Sequence, residues 1–139
     1  MEGLLQGVRA FAADTGPGSF IGARVAVTLA KTLAFAAGVE CYGSSSFDLI
    51  SESSTVAVPN RRGEWLLRVP GEDPVRTSEL PAGAIGYGEG FDDPRFPHAA
   101  GFGALVANLE LLRPEQLLPT YVVEPSISTP RTPYREGAV

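Results

Sequence analysis

The feature that most constrains the fold is an unbroken run of small and apolar residues, Phe20–Ala37, between a Gly-Pro-Gly turn and Gly38. Pro17 has a fixed φ, whereas the glycine on each side of it can adopt almost any φ. This combination is typical of a tight turn. Gly38 is a natural residue to end a helix. The run has no proline and carries two charged residues. It therefore predicts one long buried helix with Ser19 as its N-cap, and it does not predict a membrane span.

The predicted helix has two apolar faces, assigned at about 100° per residue. Large side chains form the first face: Val25, Leu29, Leu33 and Ala36. Small side chains form the second face: Ala23, Ala26, Val27, Ala30, Ala34 and Ala37. Because a surface helix normally needs one apolar stripe, two faces indicate packing on two sides. The residues leave open whether the second side is covered by this chain or by another subunit.

Short apolar segments precede and follow this helix. We predict strands over Val8–Ala13, Val39–Tyr42 and Thr55–Val58. Ser44–Ser46 offers caps for a short helix that ends at Ile50. Alternation of strands and helices is the βαβ pattern, so the sequence predicts an α/β fold.

The second part of the chain predicts a smaller unit. Asn60–Gly63 is a hairpin signal that leads into a strand at Trp65–Val69. We interpret Pro70–Pro81 as a polar loop, Ala84–Tyr87 as a short buried strand and Gly101–Leu112 as a helix. These elements divide the chain into a first lobe (1–58), a second lobe (59–123) and a tail (124–139) rich in proline, serine and threonine.

Composition limits the chemistry that this chain can perform. The net charge of −5 over 139 residues argues against a domain that binds nucleic acid by itself. A single cysteine, Cys41, excludes an internal disulfide and fits a reducing compartment. A single histidine, His98, has no second histidine at ligand spacing. The Gly16–Ser19 turn lacks the Gly-Lys-Ser/Thr of a P-loop. We expect a cytoplasmic protein without metal, cofactor or membrane segment.

Ten consecutive residues, Gly16–Val25 (GPGSFIGARV), followed by Ala30–Ala36 (AKTLAFA), resemble one bacterial family. This is the tRNA threonylcarbamoyladenosine biosynthesis protein TsaB, also called YeaZ, a relative of the Gcp/Kae-type proteins once labelled glycoproteases. The pattern departs at Ile21 and Ala23, where the family has Thr and Leu. Weaker similarity continues in order to about Val123, through the hairpin at residues 60–64.

The resemblance implies an actin-like ATPase lobe of the ribonuclease-H-like class with a smaller second α/β lobe. Family members begin with a strand and hairpin that hold the first phosphate-binding loop. The resemblance places the start of this chain after them, so we expect a lobe truncated at its N-terminus. A strand lost from a sheet exposes an edge, and such an edge usually needs pairing or covering.

The resemblance also implies a function in tRNA modification. TsaB is a non-catalytic scaffold that pairs with its catalytic paralogue TsaD and works with the ATPase TsaE, so tRNA is engaged only indirectly. It also pairs with itself through much the same helix. We therefore predict a partner interface on the turn and helix, and expect Ala30→Arg to break the pair without unfolding the monomer. The predicted interface residues are Gly16, Pro17, Gly18, Ser19, Phe20, Gly22, Arg24, Val27, Ala30, Lys31 and Ala34.

The residues themselves leave two other functions open. One is a glycoprotease-like, metal-dependent peptidase or hydrolase, which would have to use His98. The other is a degenerate nucleotide-binding lobe, since the turn at Gly16–Ser19 points a helix N-terminus outward. Structural roles are the alternatives for the other notable residues. Arg24 could pair with a carboxylate of this chain, and Trp65 could pack within the hairpin. Arg61 and Arg62 could lie at a solvated hairpin tip.

Overall fold

A computed structural model describes residues 6–18 and 20–120 of the chain. The predicted N-cap Ser19 and the tail beyond residue 123 lie outside these ranges.

The first layer is a βαβ unit, as the sequence predicted. β1 (Ala10–Asp14) and β2 (Glu40–Ser44) are parallel neighbours, and α1 (Phe20–Ala37) connects them. Ala10 is paired with Glu40 and Asp14 with Ser44. The span of α1 is the predicted one. Parallel strands need such a crossover, because a tight turn cannot join them.

The end of α1 shows why the helix stops where it does. Gly38 has a φ of +69°, a conformation that favours glycine. Its N–H donates to the Phe35 carbonyl at 3.3 Å, and the Val39 N–H donates to the Ala34 carbonyl at 3.0 Å. This pair of bonds is the Schellman arrangement, which satisfies two of the last helical carbonyls. The prediction that Gly38 ends the helix is confirmed.

The small-residue face of α1 packs on the chain's own sheet. Val27, Ala30 and Ala34 are buried in one cluster with residues of both strands and of a later segment: Ala13, Cys41 and Leu117. Small side chains allow the helix axis to lie close to the sheet, so this face is closed within the monomer.

The second layer is a four-stranded sheet in the order β5-β4-β3-β6. Its strands are β3 (Val56–Pro59), β4 (Trp65–Arg68), β5 (Val75–Thr77) and β6 (Ile85–Gly86). The β3–β4 hairpin is antiparallel, as predicted, whereas β6 runs parallel to β3. Thus the third strand of the predicted alternation joins the second sheet and does not extend the first.

A short helix connects the two layers. α2 (Ser46–Ile50) is capped by Ser45, whose Oγ accepts from the Asp48 N–H at 3.1 Å, as the serine run predicted. The Arg68 guanidinium of β4 pairs with Asp48 and donates to the carbonyls of Ser51 and Ser54. These bonds hold α2 and the loop after it against the second sheet.

Two predictions about the second part are wrong. The segment Pro70–Pro81 is not a simple loop, because its middle forms β5 on the edge of β4. The predicted helix Gly101–Leu112 is broken: α3 covers only Phe102–Leu105, and 3₁₀ turns lie at Ala99–Gly101 and Val106–Asn108. Leu112 instead exchanges backbone hydrogen bonds with Cys41 of β2. Tertiary pairing overrides the weak helical propensity of a segment that contains Gly103 and Asn108.

Candidate protein-interaction site

The side of α1 that faces away from the sheet is exposed and largely apolar. We call it the outer face. Ile21, Val25, Leu29 and Phe35 are 74%, 59%, 57% and 83% exposed. Thr28, Thr32 and Ala36 complete the same side and are also exposed. Because contiguous apolar surface in contact with water is unfavourable, this face is the candidate interaction site of the chain.

The residues predicted for a partner interface fall on both sides of the helix. Gly22 and Arg24 are exposed, and Lys31 is half-buried. Val27, Ala30 and Ala34 are 3%, 5% and 0% exposed, since they form the contact with the sheet. These three cannot contact a partner while α1 packs as it does here. The proposed test Ala30→Arg would accordingly disturb folding and not pairing.

The large-residue face is the signal that the interface prediction did not use. Val25, Leu29, Leu33 and Ala36 were recognised as one face, and three of them are exposed while Leu33 is half-buried. Ile21 and Phe35 extend that face and were missed. Two apolar faces on one helix are equivalent by periodicity, so spacing alone does not say which of them meets the sheet.

The Gly-Pro-Gly turn is held by side chains from β1 and α2. Asp14 Oδ1 accepts from the Gly16 N–H at 2.8 Å and from Ser46 Oγ at 2.6 Å. The Gly16 carbonyl accepts from the Ser46 N–H at 2.7 Å. Gly16 and Pro17 are buried, so they support the start of α1 and do not themselves form an interface surface.

A second set of bonds fixes the turn to the end of the described chain. Thr15 Oγ1 donates to the Ser44 carbonyl at 3.0 Å and lies 2.7 Å from Thr120 Oγ1. The Thr120 N–H donates to the Thr15 carbonyl at 2.7 Å. The start of α1 is therefore anchored by residues far apart in sequence, which gives its outer face a fixed direction.

Tyr87 of the second layer reaches the same turn. A Cβ on Gly18, whose φ is +150°, would lie 2.9 Å from the Tyr87 hydroxyl. Burial, and then the carboxylate of Asp14, raise the pKa of Tyr87 above its ordinary value. Tyr87 also lines a cleft of about 280 Å³ together with Asp14 and Ser46. Asp14 and Ser46 in this cleft already form hydrogen bonds that stabilise the turn.

Among the described residues, no three His, Cys, Asp or Glu side chains are arranged to hold a metal ion. His98 is exposed and precedes the 3₁₀ turn at Ala99–Gly101. Cys41 is fully buried, and burial raises the pKa of its thiol above the ordinary value. Trp65 packs edge-on against Phe91 and is buried in one cluster with Ala57 and Leu67 of the second sheet.

Comparison with solved structures decides the fold. An uncharacterized protein from Pseudomonas aeruginosa with similarity to the peptidase YeaZ superposes with a TM-score of 0.68, at 22% identity, over 88% of this chain and 80% of that one. YeaZ from Pseudomonas aeruginosa gives a TM-score of 0.65 at 22% identity, over 84% of this chain and 76% of that one. The chain has a YeaZ-like fold. The mixed α/β prediction is thereby confirmed.

A family model adds a sequence relationship to the YeaZ-like fold. The model for TsaD, tRNA N6-adenosine threonylcarbamoyltransferase, matches residues 5–63. That stretch holds β1, the Gly-Pro-Gly turn, α1, β2, α2 and β3. No curated protein matches the chain. None of the helices in the described ranges has the length and hydropathy that crossing a bilayer requires.

Proposed function

We propose that this YeaZ-like chain is a non-catalytic scaffold subunit of the cytoplasmic machinery that forms threonylcarbamoyladenosine in tRNA. Its partner is the catalytic paralogue TsaD, and the docking surface is the outer face of α1. The ATPase TsaE belongs to the same proposed assembly. The first layer is the actin-like lobe of this proposal, and tRNA is engaged through the partner.

The observation that carries the proposal is the outer face itself. Four large apolar side chains, each more than half exposed, lie on one side of the longest described helix. In a monomer this apolar surface stays in contact with water, which is unfavourable, whereas a partner would cover it. Helix-to-helix docking uses this pattern of apolar residues three and four positions apart. Ile21, Val25 and Leu29 follow it along two turns.

The position of this face supports a paralogous partner. It lies on the element that follows the Gly-Pro-Gly turn, inside the stretch that is similar to the TsaD model. A partner built on the same plan would carry a comparable helix at its surface. Two such helices pack with their apolar stripes together, as ridges of one side chain row enter grooves of the other.

The test compares two valines with similar exposure. Val25, 59% exposed, lies on the outer face, and Val75, 52% exposed, lies on β5 of the second sheet. Each is changed to Glu, and each variant is mixed with TsaD from the same genome. Binding is measured by titration calorimetry, and the mass of the complex by light scattering.

We expect Val25→Glu to weaken binding by about thirtyfold or more, as for a truncated interface hot spot worth about 2 kcal/mol. Val75→Glu should bind like the unmodified chain. In cells that depend on this protein, only Val25→Glu should lower the threonylcarbamoyladenosine content of tRNA. Equal binding by both variants, or a chain that pairs only with itself through Val25, contradicts the proposal.

A further inference from the structure

A cleft lies between the Gly-Pro-Gly turn and the second layer, and it brings together polar side chains that are far apart in sequence. Its volume is about 280 Å³, and Asp14, Ser46 and Tyr87 supply its polar side chains. The other described residues that line it are small or apolar: Gly16, Gly22, Ala23, Ala26 and Pro97. The cleft therefore combines a few polar groups with apolar walls, as small-ligand sites do.

The polar side chains of this cleft offer mainly hydrogen-bond acceptors. Ser46 is 3% exposed, and its hydroxyl uses its proton in the bond to Asp14 Oδ1, so its lone pairs remain acceptors. A carboxylate has about four acceptor positions, and Asp14 uses two of them, for Ser46 Oγ and for the Gly16 N–H. The Tyr87 hydroxyl can accept as well as donate. A ligand that donates several hydrogen bonds is thus the complement of these three side chains.

The charge of the cleft excludes two classes of ligand. Among the described residues that line it, Asp14 supplies a carboxylate and none is lysine, arginine or histidine. The start of α1 adds only about half a positive charge, so phosphate and carboxylate groups are repelled. A Ca²⁺ ion takes about six to eight oxygen ligands, and one carboxylate with two hydroxyl groups does not supply them. The remaining class is an organic cation with N–H donors.

We propose that this cleft binds a short primary alkylammonium ion, with the NH₃⁺ group against Asp14 and the alkyl stem along the alanine and proline side chains. An ammonium group is a compact charge with three donors, which suits a carboxylate accompanied by two hydroxyl groups. A guanidinium group is less suitable, because its planar fork pairs with both oxygens of a carboxylate and Asp14 Oδ1 already accepts two bonds. The inference does not depend on TsaD or on docking at the outer face of α1.

The test titrates the full chain with n-butylammonium chloride at about pH 7.5, where a primary amine with an ordinary pKa of about 10.4 is protonated. The methyl resonances of Ala23 and Ala26 report binding, since both residues line the cleft. As controls, n-butanol has the same stem without the charge, and tetramethylammonium has the charge without an N–H donor. We expect n-butylammonium to shift both methyl resonances saturably. Each control should bind at least about tenfold more weakly, because charge-assisted hydrogen bonds are lost.

Matched variants at two carboxylates test the role of charge. Asp14→Asn keeps the size of the side chain and an oxygen that can accept from the Gly16 N–H, whereas Asp73→Asn changes an exposed carboxylate that does not line the cleft. We expect Asp14→Asn to abolish the saturable shift and Asp73→Asn to leave it unchanged. Tyr87→Phe removes one hydroxyl group and should weaken binding by about threefold or more. This second variant tests the site even if Asp14→Asn does not fold.

Matched variants on α1 locate the site. Ala23 lines the cleft, whereas Ala36 is an exposed alanine of the same helix that does not line it. Ala23→Leu should fill the cleft and prevent the shift at Ala26, and Ala36→Leu should leave that shift unchanged. Absence of a saturable shift with n-butylammonium, equal binding of n-butanol, or unchanged binding by Asp14→Asn or Tyr87→Phe would overturn the proposal.

Discussion

Ser46 Oγ donates to Asp14 Oδ1 at 2.6 Å, so the first residue of α2 holds the last residue of β1. The same carboxylate oxygen accepts from the Gly16 N–H. One side chain thereby links the end of a strand, the Gly-Pro-Gly turn and the start of a second helix. The direction in which α1 leaves the turn depends on this link.

We expect Ser46→Ala to lower the free energy of unfolding by about 1.5–3 kcal/mol, because a buried hydroxyl bonded to a carboxylate is lost. Ser53→Ala, at an exposed serine, should change stability little. Urea unfolding measures both. If Ser46→Ala is as stable as Ser53→Ala, the link does not stabilise the turn.

The two sides of α1 should respond differently to substitution. Ala30→Arg places a long charged side chain in the contact with the sheet and should cost about 3 kcal/mol or more. Val25→Glu on the outer face should cost less than about 0.5 kcal/mol in the monomer. Thermal unfolding of the isolated chain distinguishes the two variants. A folded, stable Ala30→Arg protein would show that α1 does not pack on the sheet through Ala30.

Substitution of Arg68 should lower the stability of the fold strongly, although Arg68 has no part in the proposed function. Its guanidinium is buried beneath α2 and satisfies two carbonyls as well as Asp48. Arg68→Met should therefore cost about 2–4 kcal/mol. Arg113→Met breaks the exposed pair with Glu115 and should cost at most about 1 kcal/mol. Comparable losses in chemical unfolding would contradict the role of Arg68.

Two glycines with positive φ separate backbone strain from steric contact. Gly71 (φ +83°) has open space where a Cβ would be, so Gly71→Ala should cost about 1–2 kcal/mol from strain alone. At Gly86 (φ +152°) the Cβ would overlap the Ala57 carbonyl oxygen, so the strands β3 and β6 must separate. We expect Gly86→Ala to cost at least about 2 kcal/mol more. Equal costs in denaturant titrations would mean that β6 is not paired as described.

The buried thiol of Cys41 predicts a pH dependence of stability. Desolvation raises its pKa in the folded state, an effect that Lys31 opposes and Glu40 supports to smaller extents. The folded chain therefore holds this proton more tightly than the unfolded chain. The stability that follows is present below the unfolded pKa of about 8.5 and is lost as the pH rises through the folded value.

Melting temperatures measured from pH 7 to pH 10 should fall in this window, and Cys41→Ala should fall less steeply. The raised pKa also predicts slow alkylation of Cys41 in the folded chain and fast alkylation in denaturant. Identical pH profiles for the two proteins would exclude the thiol as the cause.

The sequence by itself determined the elements whose signals are local. The span Phe20–Ala37 follows from an uninterrupted helical run, and its end follows from Gly38, which supplies the left-handed conformation. The βαβ order, the Ser45 cap and the hairpin at residues 60–63 are likewise encoded by short patterns. Such signals depend on neighbours a few residues away, so they can be recognised without the fold.

Tertiary structure alone decided which residues are buried and which are exposed. Ala30 and Val25 lie on equally apolar faces of α1, but Ala30 meets the sheet because only small residues allow that close approach, and this leaves Val25 outside. Leu112 leaves a predicted helix because the edge of β2 offers it two backbone hydrogen bonds. In each case the competing partner is distant in sequence, so local periodicity carries no information about it.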